Sequence, residues 1–312
     1  MHGHSIHYSQ HLKDLERACR WFGVSKGRSL RYRGLIEEFF RQDKRTREHV
    51  LVYNESFEIT ELYRLWEAHV ARFRGLKERM RNCLEKGPIL REDERENPVT
   101  NRWRDHLFEY FLAGKLINGS VPVVVVDGIV AEGESSSEDA DILFRFNERI
   151  CDIECKRPRK HGRLLERVKE ARNQIQKTHQ ERRQGLLAID CSLFITELGH
   201  PFKATSEDEL RLQIHHVFET ELKPVVASHL DASVLGVLLY VRLLARIQVH
   251  QSSIHTLRGE PYTSWQLRTV QNFTLISDSI LGRYVLNCLA QFSETSILRI
   301  HPKVGSLDSI QA

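Results

Sequence analysis

The sequence is short of the features that mark secreted, zinc-bound or membrane proteins. Only six of its 312 residues are cysteine: Cys19, Cys83, Cys151, Cys155, Cys191 and Cys288. None forms a C-x-x-C pair, and no Cys/His cluster has zinc-finger spacing. Sparse, unpatterned cysteines in a chain this long point to reduced thiols and a cytoplasmic setting. Residues 1–10 hold three histidines and no apolar run, so no signal peptide is expected. The most apolar stretch, Val234 to Ile247, is interrupted by Arg242 and Arg246. It is too short and too charged to span a bilayer, and no membrane partner is expected. A dominant charge is also missing. Lys plus Arg number 46 and Asp plus Glu 42, a net charge of +4, which excludes a histone-like polycation but not a local basic groove. There is no internal repeat and no low-complexity tract.

What is present suits a folded core. Hydrophobic residues make up 41% and charged residues 28%, so disorder does not dominate. The length fits about two domains, or one core with large additions. Arginine outnumbers lysine 33 to 13. Its planar fork suits phosphate, although base composition alone would give the same excess.

Three regions differ in texture. Residues 1–97 form an expected helical N-terminal region. Leu35, Ile36, Phe39 and Phe40 recur at helical spacing within Leu30–Gln42. Leu62, Leu65, Trp66, Val70, Phe73 and Leu76 form a stripe that predicts one helix over Glu58–Leu84. Gly87-Pro88 breaks the pattern, and the charged run 91–96 reads as a solvated linker. Residues 98–195 form an expected core. A helix over Asn101–Ile117 is followed by a β-branched strand, Val121–Val126. An acidic loop, Asp127–Asp139, follows. It carries Asp127, Glu132, Glu134, Glu138 and Asp139, taken as loop charge rather than ligands. Strands are then expected at Asp141–Phe146 and Arg149–Lys156, joined by an Asn147-Glu148 turn. A helix over Leu164–Lys177 and a strand over Leu186–Cys191 complete the order α-β-β-β-α-β. Residues 196–312 form a C-terminal α/β extension that can continue the core sheet. It has helices at Thr205–Leu222 and Ile280–Phe292 and strands at Val234–Leu244 and Trp265–Phe273.

The strand Cys151-Asp152-Ile153-Glu154-Cys155-Lys156 carries the chemistry. Side chains alternate along a strand. Cys151, Ile153 and Cys155 therefore face one way, into a core, and Asp152, Glu154 and Lys156 the other. Charge on one face of a buried-looking strand needs partners or solvent. A hairpin closing at Asn147-Glu148 can bring Asp141 near Glu154. Two carboxylates so placed suit Mg²⁺, which binds through one or two carboxylates and keeps waters and substrate phosphate as its other ligands. Such a cation acidifies a bound water and offsets transition-state charge. A lysine one strand step away can orient that water or the phosphate.

Asp141 followed by Glu154-Cys155-Lys156 on the next strand resembles the D…(D/E)-x-K signature of the PD-(D/E)xK, or restriction-endonuclease-like, nucleases. The resemblance covers roughly residues 100–195 and rests on spacing, strand alternation and element order taken together. It implies an α/β fold with a central mixed sheet flanked by helices. It also implies a Mg²⁺-dependent (or Mn²⁺-dependent) nuclease acting on nucleic acid, DNA ahead of RNA, in a defence or repair setting. Asp141 and Glu154 are then the metal ligands and Lys156 a catalytic residue. Two further family positions match. Glu109, on the helix before the first strand, would assist the metal, and Gln174, on the helix after the third, would support the site. The residue before Asp141 is Ala140 where many members have proline.

From Arg145 to Arg183 there are 13 Lys plus Arg against 6 acids. Lys156, Arg157, Arg159 and Lys160 follow the signature directly, where a phosphate backbone would pass. Arg157, Arg159, Lys160 and Arg163 are the candidate nucleic-acid contacts. For Arg163, Arg167, Lys169 and Lys177 a solvated helix face is the alternative. Arg28, Arg31 and Arg33 around Tyr32 form a second, weaker basic cluster. His161 is expected in a loop, and His215-His216 suggests no site. A catalytically inactive nucleic-acid-binding or scaffold module of the same fold, or an RNase, is the rival reading. The flanking regions are the candidates for substrate choice, a protein partner or self-association.

Overall fold

The computed structural model describes residues 8–41, 47–87, 102–134, 140–179, 184–198, 202–229, 233–251, 262–276 and 279–290. The expected linker 91–96 and the acids Glu138 and Asp139 lie outside these residues. None of the described helices is long and apolar enough to cross a membrane.

Four helices open the chain: α1 (Tyr8–Phe22), α2 (Arg28–Arg41), α3 (Arg47–Trp66) and α4 (Leu76–Glu85). The single helix expected over Glu58–Leu84 is two, α3 and α4, with a 3-10 turn at Val70–Arg72 between them. Gly75 explains the break. It precedes α4 in the left-handed region, at φ +90, where only glycine sits without strain. The apolar stripe is still used, since Leu62, Leu65, Trp66, Phe73 and Leu76 are all buried.

Helix α5 (Arg102–Asn118) packs beside α3. The Trp66 indole Nε1 donates to the Tyr110 carbonyl at 2.8 Å, and Asn118 Nδ2 donates to the Leu65 carbonyl at 2.9 Å. Polar side-chain hydrogen bonds thus satisfy backbone groups where the two helices touch.

The chain then runs through β1 (Val123–Val126), β2 (Ile129–Val130), β3 (Ile142–Phe146), β4 (Arg149–Lys156), α6 (Leu164–His179) and β5 (Gln184–Asp190). It continues as α7 (Ser192–Leu198), β6 (Lys203–Ala204), α8 (Glu207–Val217), α9 (Lys223–Ala227), β7 (Val234–Gln251), β8 (Tyr262–Ile276) and α10 (Ile280–Ala290). Ser206 caps α8 by accepting from the Glu209 amide. Strand β2 lies inside the segment expected to be loop. Asp127 and Gly128 both adopt positive φ, at 49° and 67°, which makes the two-residue turn that reverses β1 into β2.

All the strands join one mixed sheet of eight, in the order β2-β1-β3-β4-β5-β7-β6, with β8 paired to β7. Strand β3 pairs antiparallel with β1 on one side and β4 on the other, β5 runs parallel to β4, and β7 parallel to β5. The protein is therefore a mixed α/β structure with helices on both sides of a central sheet. Alternation along β5 shows the two layers. Leu186 and Ala188 face the core shared with α1 to α5 and α10, while Leu187 and Ile189 face the core shared with α6 to α9.

Gly114 tests the α3–α5 contact. A Cβ there would lie 2.8 Å from Trp66 Nε1 and 2.9 Å from Leu65 Cβ. Helix propensity alone favours alanine by about 1 kcal/mol, whereas overpacking costs about 1–3 kcal/mol. We expect Gly114→Ala to lower the thermal midpoint, and an unchanged or raised midpoint in a thermal melt would show that the two helices give way.

Candidate active site

The site begins with a turn. Asn147 and Glu148 both have positive φ, 48° and 63°, the two-residue geometry that matches the twist of a tight hairpin. That turn sets the β3–β4 register: Phe146 faces Arg149, Leu143 faces Asp152, and Ile142 faces Ile153. One further step places Asp141 opposite Glu154. Strand β4 alternates as its sequence requires. Cys151, Ile153 and Cys155 enter the core under α5, and Asp152, Glu154 and Lys156 take the other face.

The structure brings the three signature residues together. Lys156 Nζ lies 3.3 Å from Glu154 Oε2 and 3.8 Å from Asp141 Oδ2. Asp141 Oδ2 also accepts a 2.7 Å hydrogen bond from the Cys155 amide, which locks its carboxylate across the hairpin. Glu154 is 2% exposed, so its charge is held almost out of water. Burial, reinforced by the charge of Asp141, pushes its carboxyl up to about 8. Burial alone would lower the Lys156 ammonium, but Asp141 and Glu154 together raise it above its ordinary value. One ammonium thus serves two carboxylates.

Glu109 stands on the next element. It is buried on α5, and burial pushes its carboxyl up to about 7, against the pull of His106 and with the push of Asp141. Asp141 is thus the charge that Glu109 and Glu154 both feel. Among the described residues, however, the group of donors close enough to share a cation is a different one. His106, Glu109 and Asp127 each offer an atom within 4.8 Å of the others. His106 Nδ1 lies 3.3 Å from Glu109 Oε2 and 3.5 Å from Asp127 Oδ1. Hydrogen bonding to Glu109 raises the imidazole to about 9, so it carries charge at neutral pH. Asp127 is held further by Tyr110, whose hydroxyl donates at 2.6 Å, and by Arg79 Nη1 at 2.9 Å. Its amide donates to the Asp141 carbonyl at 2.7 Å, which fixes the β1–β2 turn to the start of β3.

His106 and Asp127 are neighbours of the site that the sequence reading left out. Asp127, expected as loop charge, instead starts the β1–β2 turn. The signal that could have found it is Asp127-Gly128 between two apolar β-branched pairs, a strong hairpin signature. His106 carries no such signal, but it sits one helical turn before Glu109, where side chains share a face.

The remaining candidates differ in burial. Gln174 is half-buried on α6, its Oε1 buried without a hydrogen bond. Arg157 differs from the expectation of a phosphate contact: it is buried, and its Nε donates to Asp190 Oδ2 at 3.0 Å. Continued alternation past Lys156 turns it inward, and burial of a guanidinium demands such a partner. Arg159 is partly buried, 4.0 Å from Asp105. Lys160 and Arg163 are exposed, and Arg163 pairs with Glu166 one turn along its helix. His161 sits in the turn before α6, edge-on to Phe194.

The raised Glu154 carboxyl has a consequence for stability. Its folded value, about 8, lies above its unfolded value near 4.5. Between these the folded protein holds a proton that the unfolded chain has released, so stability falls as pH rises through that window. In EDTA we expect Glu154→Gln to gain thermal stability relative to wild type progressively from about pH 5 to about pH 8. A difference in melting temperature that does not change with pH would contradict the buried, proton-retaining carboxyl.

No family model, no curated protein and no solved structure matches the chain.

Proposed function

We propose that the protein is a metal-dependent phosphodiester hydrolase of the restriction-endonuclease-like kind, acting on DNA. One observation carries this reading: Asp141 and Glu154, on facing strands of one hairpin, both lie within ion-pair reach of Lys156 Nζ. The element order supports it. Helix α5, then β1, β3 and β4 with antiparallel β1–β3 and β3–β4 pairs, then α6 and parallel β5 follow in the α-β-β-β-α-β order, with the small β2 strand added.

The donor set suits a hard divalent cation. The donors are carboxylate oxygens, two of the carboxyls, Glu109 and Glu154, are raised by burial and by the charge of Asp141, and a single ammonium offsets the signature pair. Asp141 and Glu154 would hold Mg²⁺ or Mn²⁺, with Glu109 from α5 assisting. When bound, the cation would supply an acidified water and offset charge on the phosphate. The protein's own residues do the rest. Asp141 is pinned by the Cys155 amide, so its carboxylate needs no reorganisation. Lys156, one strand step from Glu154, reaches the reacting phosphate or its attacking water with a full positive charge. His106, charged and anchored by Glu109 and Asp127, keeps the acidic wall ordered beside it. Lys160 and Arg163 line the exposed exit of β4, where a nucleic-acid backbone would run.

The test is incubation with plasmid, linear duplex DNA, single-stranded DNA and RNA, each with Mg²⁺, Mn²⁺ or EDTA. We expect cleavage of DNA with metal and none in EDTA. Glu154→Ala and Lys156→Ala should each lower the rate by about 100-fold or more, as loss of an electrostatic catalytic group does. Cleavage of RNA alone would move the substrate class. Binding without cleavage under every metal would favour an inactive nucleic-acid-binding module, and full activity in either variant would sink the site assignment.

A further inference from the structure

We infer that Arg157 is a positioning residue, a buried clamp that sets the Lys156 end of β4 against α5, β5 and β7; the inference rests on the site reading above. The parallel register of β4 and β5 pairs Lys156 with Ile189. One step on, Arg157 meets Asp190, and its Nε donates to Asp190 Oδ2 at 3.0 Å. The other carboxylate oxygen, Asp190 Oδ1, accepts from the Ser192 amide at 2.9 Å and from the Ser192 hydroxyl. The Ser192 hydroxyl oxygen in turn accepts from the Arg242 amide of β7 at 2.8 Å. On its far side Arg157 Nη1 lies 3.9 Å from Asp105 Oδ1. Asp105 precedes Glu109 on α5 by one turn and adjoins His106. A chain of polar contacts therefore runs from the helix carrying Glu109, through Arg157, to β5, the start of α7, and β7.

The burial of each link decides its role. Arg157 is 7% exposed, Asp190 2% and Ser192 3%, so none of them offers a phosphate a free face. A lone buried guanidinium is costly, and a bidentate-capable cation between two strands and a helix is a rigid spacer rather than a surface hook. Its neighbour along the chain is Lys156, whose Nζ must stay within reach of both Asp141 and Glu154. Fixing the backbone at position 157 fixes where that lysine starts. Outer partners of this kind orient the inner groups of a metal site and change affinity or rate by about 10- to 100-fold when removed.

The test uses Arg157→Lys, which keeps the charge and is expected to fold, with Arg157→Gln and Asp190→Asn beside it. Mn²⁺ is titrated into each by calorimetry, and cleavage of linear duplex DNA is followed at a temperature well below every variant's melting point. We expect Arg157→Lys and Asp190→Asn each to lower kcat by about tenfold or more and to weaken Mn²⁺ binding, with KM unchanged. Arg157→Lys combined with Asp190→Asn should be no worse than the worse single, because both changes cut one chain. A rise in KM alone, with kcat and Mn²⁺ affinity intact, would make Arg157 a substrate contact and overturn the clamp. Folded variants indistinguishable from wild type would overturn it too. Wild-type protein that neither binds Mn²⁺ nor cleaves would instead bring down the site reading, and the clamp as a positioning device with it.

Discussion

The site depends on the register of one hairpin. The Asn147-Glu148 turn closes β3 onto β4, and every pairing from Phe146–Arg149 to Ile142–Ile153 follows from it. A slip of one residue would turn every β4 side chain to the opposite face. Glu154 and Lys156 would then enter the core under α5, and Cys151, Ile153 and Cys155 would lose theirs. The apolar set on one face therefore enforces the placement of the charged set on the other. Stability and the candidate site share the same register, and Cys155, a core residue of β4, holds the Asp141 carboxylate through its amide.

This is why the signature was legible in the sequence. Asp141, Glu154 and Lys156 lie on two short strands joined by a two-residue turn, so their proximity is a local property that alternation and turn chemistry predict. The strand Arg149–Lys156, the turn and the antiparallel pairing all stand where the spacing puts them. What was not legible is tertiary. The His106–Glu109–Asp127 contact needs α5 to lie against the β1–β2 turn, and nothing local encodes that. The break at Gly75 was hidden because the apolar stripe continues past it in helical phase. Periodicity reports which face is buried, not whether the backbone bends between two stretches of that face. Arg157 differs from expectation for a related reason: strand alternation still applies one residue past the end of β4 and turns it inward to Asp190.

The arginine excess reads differently once burial is known. Arg104 lies between Glu55 and Glu58 and donates to the Tyr32 hydroxyl at 3.1 Å. Arg157 holds Asp190, and Arg242 with Lys115 holds Glu61, which also accepts from Gln271 at 2.7 Å. Although burial works against its charge, Lys115 and Arg242 keep the Glu61 carboxyl below its ordinary value. These clusters tie α2, α3, α5, β7 and β8 together from inside. Several arginines are thus structural, chosen for a guanidinium's capacity to satisfy buried carboxylates in a fixed geometry. The basic stretch 145–183 is correspondingly thinner on the surface than its count suggests, since Arg157 is interior and Arg163 and Arg167 pair with Glu166 and Glu170.

The contrast between these clusters separates scaffold from site. Glu61 is one acid with two cations and an amide, and its carboxyl is driven down. Asp127 has a tyrosine, an arginine and a histidine. At the signature pair the balance reverses. Asp141 has one amide and a share of Lys156; Glu154 has Lys156 alone, among the described residues. A carboxyl that burial and a like charge push up to about 8 costs the fold stability as pH rises above its ordinary value. Such an arrangement persists in a marginally stable protein only where the rest of the structure over-determines it. Here the over-determination is visible: the hairpin register from one side, the Cys155 amide from within, and the Arg157–Asp190 contact at the strand's end. The least-partnered carboxyls are localised where two strands fix them and where a divalent cation would favour their ionised form, and not at the better-partnered acidic groups elsewhere in the fold.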